Sequence, residues 1–281
     1  MKPIKELLDF SLINIDKPAG PTSYSVSEFI RRQLGVKKTA HMGTLDPKVT
    51  GVLPTTLGRA CKLAEYFIKH DKSYVGILHT HKEQDIAELQ KLIDNNFVGK
   101  IKQTPPHRSA VKREERERTV YSWKLLESFE DGKDFLFECK VEGGTYIRKL
   151  CSDLGEMIGG AHMGELRRTE AGIFSENKIY NLFEFKSAVD KYRNGDETDL
   201  RKMLIPAEDA IKQVLPVVEV EKKAIGSLHI GRPLFRDTIT SDVKKIKVKS
   251  TFAVFCEKQF IGIYRRTTGD IIFGKSEFVF N

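Results

Sequence analysis

The 281-residue chain contains only 4 cysteines, Cys61, Cys139, Cys151 and Cys256, far apart and with no Cys-x-x-Cys pair. That scarcity argues against a zinc site built on thiols and against a disulfide framework. The cysteines are expected to be reduced and mostly buried. No apolar stretch approaches the roughly 18 residues a spanning helix needs, because Lys, Glu or Asp interrupts every run. The opening Met1-Lys2-Pro3-Ile4-Lys5-Glu6 carries a carboxylate and has no apolar core followed by small residues, so no secretory signal is expected and an intracellular protein is. Glycines leading into Gly-Lys-Ser or Gly-Lys-Thr are missing, as is a Gly-x-Gly-x-x-Gly run, which argues against ATP- or NAD-driven chemistry. Internal repeats and low-complexity tracts are also lacking.

What the chain does have is positive charge. Lys and Arg number 47 against 39 Asp and Glu, a formal net charge of +8. The basic groups gather at Arg31-Arg32 with Lys37-Lys38, at Lys112-Arg113 with Arg116 and Arg118, at Arg167-Arg168, and over 244–249. Repeated cationic clusters suit a polyanion such as an RNA backbone better than a single basic tail does.

With 40% hydrophobic residues, the chain can bury one large core or two unequal ones. Hydrophobic spacing predicts a short strand over 12–15, broken by Pro18, Gly20 and Pro21. A helix follows, capped by Thr22 or Ser23, with Val26, Phe29, Ile30 and Leu34 on one side and Gly35 at its end. Residues 36–60 are rich in Gly, Thr and Pro and read as loop, with a short strand near Val52 and Leu53. Next come a strand over Lys72–Thr80, a helix over 85–95 and a hairpin of 119–129 with 135–141. The segment 103–118, with its prolines and charges, reads as an exposed excursion. A helix over 146–158, a strand over 166–174 and helices over 182–193 and 199–213 complete the larger unit. From a boundary near Leu215-Pro216 the pattern changes to short strands at 217–220, 245–249, 252–256, 260–264 and 270–273.

Residue by residue, little of this announces chemistry. Asp46-Pro47 alone is a turn signal. His79 and His81 share a strand face, but without a third ligand no metal is expected.

The longer runs say more. The segment Ala40-His41-Met42-Gly43-Thr44-Leu45-Asp46-Pro47-Lys48-Val49-Thr50-Gly51-Val52-Leu53-Pro54 resembles the catalytic motif of the TruB family of pseudouridine synthases. Further similar stretches, in family order, are Lys17-Pro18-Ala19-Gly20-Pro21-Thr22-Ser23, Lys72-Ser73-Tyr74-Val75-Gly76, 105–112 and Gly143-Gly144-Thr145-Tyr146-Ile147-Arg148, spanning about residues 11–175. Within the family, 46–51 and 160–169 are most similar to the dyskerin-type branch of archaea and eukaryotes. Gly231-Arg232-Pro233-Leu234 and 260–264 resemble a PUA RNA-binding domain. Four positions depart from the family pattern: Ala40 stands for Gly, Tyr24 for His, and Glu170-Ala171 for a basic residue with Ser.

The resemblance implies an α+β fold: a mixed, mostly antiparallel sheet with flanking helices over residues 1–215, and a small β-rich PUA domain over 216–281. It implies an enzyme that turns a flipped-out uridine into pseudouridine with no cofactor. Asp46 would be the catalytic carboxylate, Arg148 its cationic partner, and Tyr74 the aromatic against the target base. His41, Tyr146, Leu166 and Lys17 would bind the substrate nucleotide or support its loop. Arg108, Lys112, Arg113, Arg167 and Arg168 would contact RNA phosphates. The implied partners are rRNA or tRNA and, for the dyskerin branch, an H/ACA guide RNA with small accessory proteins. The location would be the cytoplasm of an archaeal-type cell, or the nucleus and nucleolus of a eukaryote. Two alternatives stand beside it: a stand-alone synthase for the tRNA T-loop uridine, and a non-catalytic RNA-binding protein of the same fold.

Overall fold

A computed structural model describes residues 2–105, 112, 114–129 and 131–281. The chain separates into two compact units, Met1–Leu204 and Ile205–Asn281, a division that falls before the composition change near Leu215-Pro216.

The first unit opens with a short helix α1 (Ile4–Asp9) and strand β1 (Phe10–Lys17). Helix α2 (Ser23–Leu34) starts where Thr22 accepts a hydrogen bond from the Ser25 amide at 3.0 Å, and ends at Gly35. Strands β2 (Thr39–His41) and β3 (Thr50–Gly58) follow, then helix α3 (Ala64–Ile68), strand β4 (Lys72–Thr80) and helix α4 (Ile86–Asn96). Next are β5 (Gly99–Gln103), β6 (Arg116–Ser128), β7 (Asp134–Val141), helix α5 (Ile147–Ile158), β8 (Ala161–Ala171) and β9 (Phe174–Ser175). Helices α6 (Leu182–Arg193) and α7 (Thr198–Met203) lead into β10 (Leu204–Pro206).

Along the sheet the strand order is β10-β1-β3-β8-β4-β7-β6-β5, with β2 on β3 and β9 on β8. β3 and β8 run parallel, whereas β4 pairs antiparallel with both β7 and β8. The sheet is therefore mixed, mostly antiparallel, as expected. Helices flank it over a core that includes Leu53, Leu78, Leu89, Phe135, Phe137, Leu150 and Phe185. Helix α5 shows how the sequence places a functional side chain. Ile147, Leu150, Cys151 and Leu154 recur at helical spacing and are buried. Burying each large aliphatic side chain contributes about 1.5–3 kcal/mol. With that stripe inside, Arg148 on the first turn is left half-exposed.

Four sequence expectations change. Residues 36–60 are not mainly loop: β3 is a nine-residue strand, buried from Gly51 to Gly58, and its pairing with β1 runs from Phe10↔Gly58 to Lys17↔Gly51. Covered on both faces, β3 has no apolar-polar alternation to betray it. The helix expected over 199–213 is interrupted, because Pro206 lacks an amide hydrogen and turns the preceding residue extended. The second half survives as helix α8 (Ala207–Ile211). No strand forms over 245–249, where Lys249 takes a left-handed conformation (φ 66) and Val248 is exposed. Strand β5, unread in the sequence, pairs with β6.

The second unit carries β11 (Val217–Glu219), helix α9 (Ile225–His229), β12 (Leu234–Phe235), β13 (Thr251–Cys256), β14 (Gln259–Arg266) and β15 (Ile272–Val279). Its sheet runs β11-β13-β14-β15-β12 over a core of its own that includes Leu228, Phe252, Val254, Tyr264 and Phe273.

Candidate active site

The segment between β2 and β3 is irregular, yet it is fastened at both ends. Met42 donates its amide to the Pro54 carbonyl at 2.8 Å. The Ser23 hydroxyl donates to the Leu45 carbonyl (2.9 Å) and accepts from the Leu45 amide (2.8 Å). Lys17, fully buried, donates from Nζ to the carbonyls of Pro18 (2.9 Å), Pro47 (3.0 Å) and Val49 (2.8 Å). Burial lowers the Lys17 pKa. Lys17 therefore supports the loop and is withdrawn from any substrate in solvent, so its placing among the substrate-binding residues gives way to the loop-supporting role expected beside it.

From the other side comes Arg168, 1% exposed. Its Nε donates to the Val52 carbonyl at 2.8 Å and its Nη2 to the Gly43 carbonyl at 3.0 Å. Arg168 is thus a buried strut beneath the loop and not a phosphate contact, contrary to expectation; β8 sends Arg167 and Arg168 to opposite faces. The close approach of strands depends on glycine. At Gly51 (φ +99), opposite Arg168 in the β3–β8 register, an added Cβ would lie 2.2 Å from the Arg168 carbonyl oxygen.

Held this way, Asp46 projects its carboxylate to the guanidinium of Arg148, with which it forms an ion pair between two half-exposed side chains. A guanidinium beside a carboxylate favours the ionised form and fixes its direction. Tyr74 lies on β4 opposite Arg168 of β8 and Cys139 of β7. Its phenol hydrogen-bonds the Arg168 side chain; burial pushes its pKa up, while the Arg168 charge and that bond oppose the rise. His41, half-buried, places Nε2 3.1 Å from the Thr44 hydroxyl. Its pKa is lowered by burial and then by the Arg168 charge, so the imidazole is neutral at pH 7.

Tyr146 is the residue before helix α5, and its backbone is held by Gln103, whose Oε1 accepts from the Tyr146 amide at 3.0 Å. Leu166 is buried on β8 opposite Gly76. Arg167 is taken up by a two-pronged pair with Asp16 (2.9 and 3.0 Å) and by Glu176. Lys112 is exposed and pairs with Glu114. Arg108 and Arg113 lie outside the described residues. Glu170, one of the departures from the family pattern, accepts a hydrogen bond from Ser73 at 2.8 Å.

One residue of the site escaped sequence reasoning. Lys72 is 5% exposed, donates to the carbonyls of Ile68 and His70, and has its pKa lowered to about 8, first by burial and then by the Arg168 charge. The signal was present: a lysine opening a strand whose first turn of sequence, Lys72-Ser73-Tyr74, belongs to a motif. His79 and His81 gather with His162, their ring centroids 4.9–6.3 Å apart, and His79 Nδ1 is 2.8 Å from Asp134. Among the described residues no group of three or more His, Cys, Asp or Glu is placed to hold a metal ion. Nor is any helix among them long and apolar enough to cross a membrane.

Comparison with known proteins gives this geometry its context. Residues 31–147 match the model of the TruB family pseudouridylate synthase N-terminal domain, and residues 148–212 that of the tRNA pseudouridylate synthase B C-terminal domain. A "probable tRNA pseudouridine synthase B" of Korarchaeum cryptofilum is 44% identical over 260 residues, 92% of this chain and 79% of that protein. The protein of the same name from Methanopyrus kandleri is 41% identical over 259 residues, 92% of this chain and 75% of the relative. Among solved structures, a Cbf5 complex with Nop10 and Gar1 superposes with a TM-score of 0.91 at 34% identity, covering 100% of this chain and 88% of that one. An H/ACA ribonucleoprotein bound to a substrate RNA containing 2′-deoxyuridine gives 0.86 at 32% identity, with 100% and 88% covered.

Proposed function

The chain belongs to the TruB family of pseudouridylate synthases and is an isomerase acting on RNA, and from that premise we propose that it is the catalytic subunit of a guide-RNA-directed H/ACA particle. The observation that carries this reading is the similarity to Cbf5 along the whole chain, the second unit included. On the same grounds we read Ile205–Asn281 as containing the PUA domain that holds RNA, and small accessory proteins like those of the Cbf5 complexes as partners. Its archaeal relatives support a place in the cytoplasm of an archaeal-type cell.

The reaction breaks the N1–C1′ bond of a uridine, turns the base and joins C5 to C1′; the C5 proton leaves and N1 is left protonated. Oxidation state is unchanged. In our reading Asp46 acts as the ionised carboxylate at the ribose, by addition to C1′ or by taking the C2′ proton toward a glycal. Arg148 keeps it charged and aimed. The target base leaves its stack and lies against Tyr74, with Tyr146 and Leu166 as apolar walls. Tyr74, its pKa raised, is a neutral phenol tied to Arg168, so it serves the base as a surface and hydrogen-bonding group. Neutral His41 holds the flipped nucleotide at the mouth of the loop.

A second reading, a stand-alone synthase for a tRNA uridine, is favoured by the names of the curated relatives. The two separate in one assay. Purified protein is given a tRNA transcript alone, or a substrate RNA with its guide and accessory proteins, and pseudouridine is mapped. Modification that requires the guide supports the first reading; equal modification of tRNA without guide or partner overturns it.

A further inference from the structure

Beside the loop that carries Asp46 lies a concave surface of which the chemistry above uses only His41. Helix α2, the turn after it and β2 enclose an open groove of about 420 Å³, lined by Tyr24, Glu28, Arg31, Lys37, Lys38 and His41 among others. Three features give it a chemical character. The first is charge: three cations face one carboxylate, and Glu28 is already bound by Arg31 (2.7 Å) and Arg32 (2.8 Å), so its charge is offset. Lys37 and Lys38 are exposed, and among the described residues no carboxylate forms an ion pair with either. The second is an aromatic ring at the rim, because Tyr24, on the first turn of α2, is 70% exposed. The third is continuity, since His41 lines this groove and belongs to the segment that carries Asp46.

Unpaired cations with an aromatic face along one groove are what single-stranded nucleic acid asks for: phosphates meet the ammonium groups and a base stacks on the ring. The scale agrees. Three residues separate Lys37 from His41, the last two of them in strand β2, so the lysines and the histidine lie within a few nucleotides' reach of one another. We propose that this groove holds the RNA nucleotides next to the target uridine on one side, with Lys37 and Lys38 on their phosphates and Tyr24 stacked on a base. The proposal rests on the reading of the chain as a synthase that takes a flipped uridine at Asp46. It adds where the strand runs after leaving that site, and why an exposed tyrosine sits there. Arg31, fixed by Glu28, forms the wall and leaves the two lysines as the mobile contacts.

The test uses the full chain with two probes, a tRNA transcript and a guide-paired substrate RNA, taking whichever the wild type converts. Lys37→Gln with Lys38→Gln, and separately Tyr24→Ala, should raise the KM for RNA about 5- to 50-fold while kcat at saturating RNA stays within about 2-fold. The lysine pair should also flatten the salt dependence of binding by about 1.4 in log–log slope, two single-strand phosphate contacts. Removing the same charge at exposed Lys124 and Lys140 is the control for general attraction. Substrates cut immediately 5′ or immediately 3′ of the target uridine should erase the wild-type advantage at one end only. Groove variants that match the control, or that lose affinity equally on both shortened substrates, overturn the proposal. If the wild type forms no pseudouridine on either probe yet the groove variants still bind tRNA more weakly, the functional reading fails and the groove remains an RNA site.

Discussion

Arg168 donates from Nη2 to the Gly43 carbonyl at 3.0 Å, from a position 1% exposed to solvent. A charged side chain thereby sits under the loop that presents Asp46, sharing its remaining donors with Val52 and Tyr74. Gly43 makes room for it: with φ +93, an added Cβ there would stand 3.2 Å from Arg168 Nη1.

Arg168→Lys should disorganise the loop without removing any group that touches substrate. An ammonium cannot reproduce the planar fork, so at least one buried carbonyl is orphaned, at about 1–3 kcal/mol each. In a thermal melt that corresponds to a fall of about 2–4 °C per kcal/mol for a unit of this size. The expected kinetic signature is a lower kcat with near-normal RNA affinity. An unchanged melting temperature and kcat would remove Arg168 from its supporting role.

Asp46→Asn keeps the shape of the side chain and deletes its charge. Pseudouridine formation should fall by roughly 10³-fold or more, while RNA affinity changes little, since the ion-pair partner Arg148 remains. Arg148→Lys should retain part of the activity and Arg148→Ala very little. Normal turnover by Asp46→Asn, read by mapping pseudouridine, would end the catalytic assignment.

Lys72 makes stability depend on pH in a definite sense. In the unfolded chain it holds its proton up to the ordinary value of 10.5, in the folded chain only to about 8. Between those values the unfolded state binds more protons, so this group's contribution becomes more favourable as pH rises through that window. Below about 8 its unfavourable effect is complete. Chemical denaturation of wild type and Lys72→Met at pH 7 and pH 10 should show wild type gaining on the variant at the higher pH. A constant difference would contradict the assignment.

Gly51→Ala tests the crossing of β3 and β8. The new methyl would meet the Arg168 carbonyl at 2.2 Å, on a backbone with φ +99 that L side chains rarely adopt. We expect a loss of several kcal/mol, seen as a much lower melting temperature or insoluble expression. A soluble variant with wild-type melting would show that the strands can part at no penalty.

Where a long element buries one apolar face, its pattern was readable in the chain; short β5, whose inward positions are Gly99, Ile101 and Gln103, was not. Helix α5 shows its stripe of Ile147, Leu150, Cys151 and Leu154, and strand β7 buries Phe135, Phe137, Cys139 and Val141 in alternation. Strand β3 hid for the opposite reason: Thr55 and Thr56 are as buried as Val52 and Leu53, so its composition looks like loop. Lys249 misled in the other direction, since alternating lysines imitate a strand that its left-handed backbone forbids.

The sequence by itself determined the family and the α+β layout and singled out Asp46 as the proposed catalytic carboxylate, because a long contiguous motif is a local property of the chain. The tertiary structure alone decided which cations serve the site. Lys17, Arg167 and Arg168 carry the same formal charge as Lys37 and Lys38, but the first and third are desolvated beneath the loop that carries Asp46 and the second is neutralised by Asp16 and Glu176. What an ammonium or guanidinium can bind depends on whether water or protein already holds it, and that is fixed only when distant strands close around it.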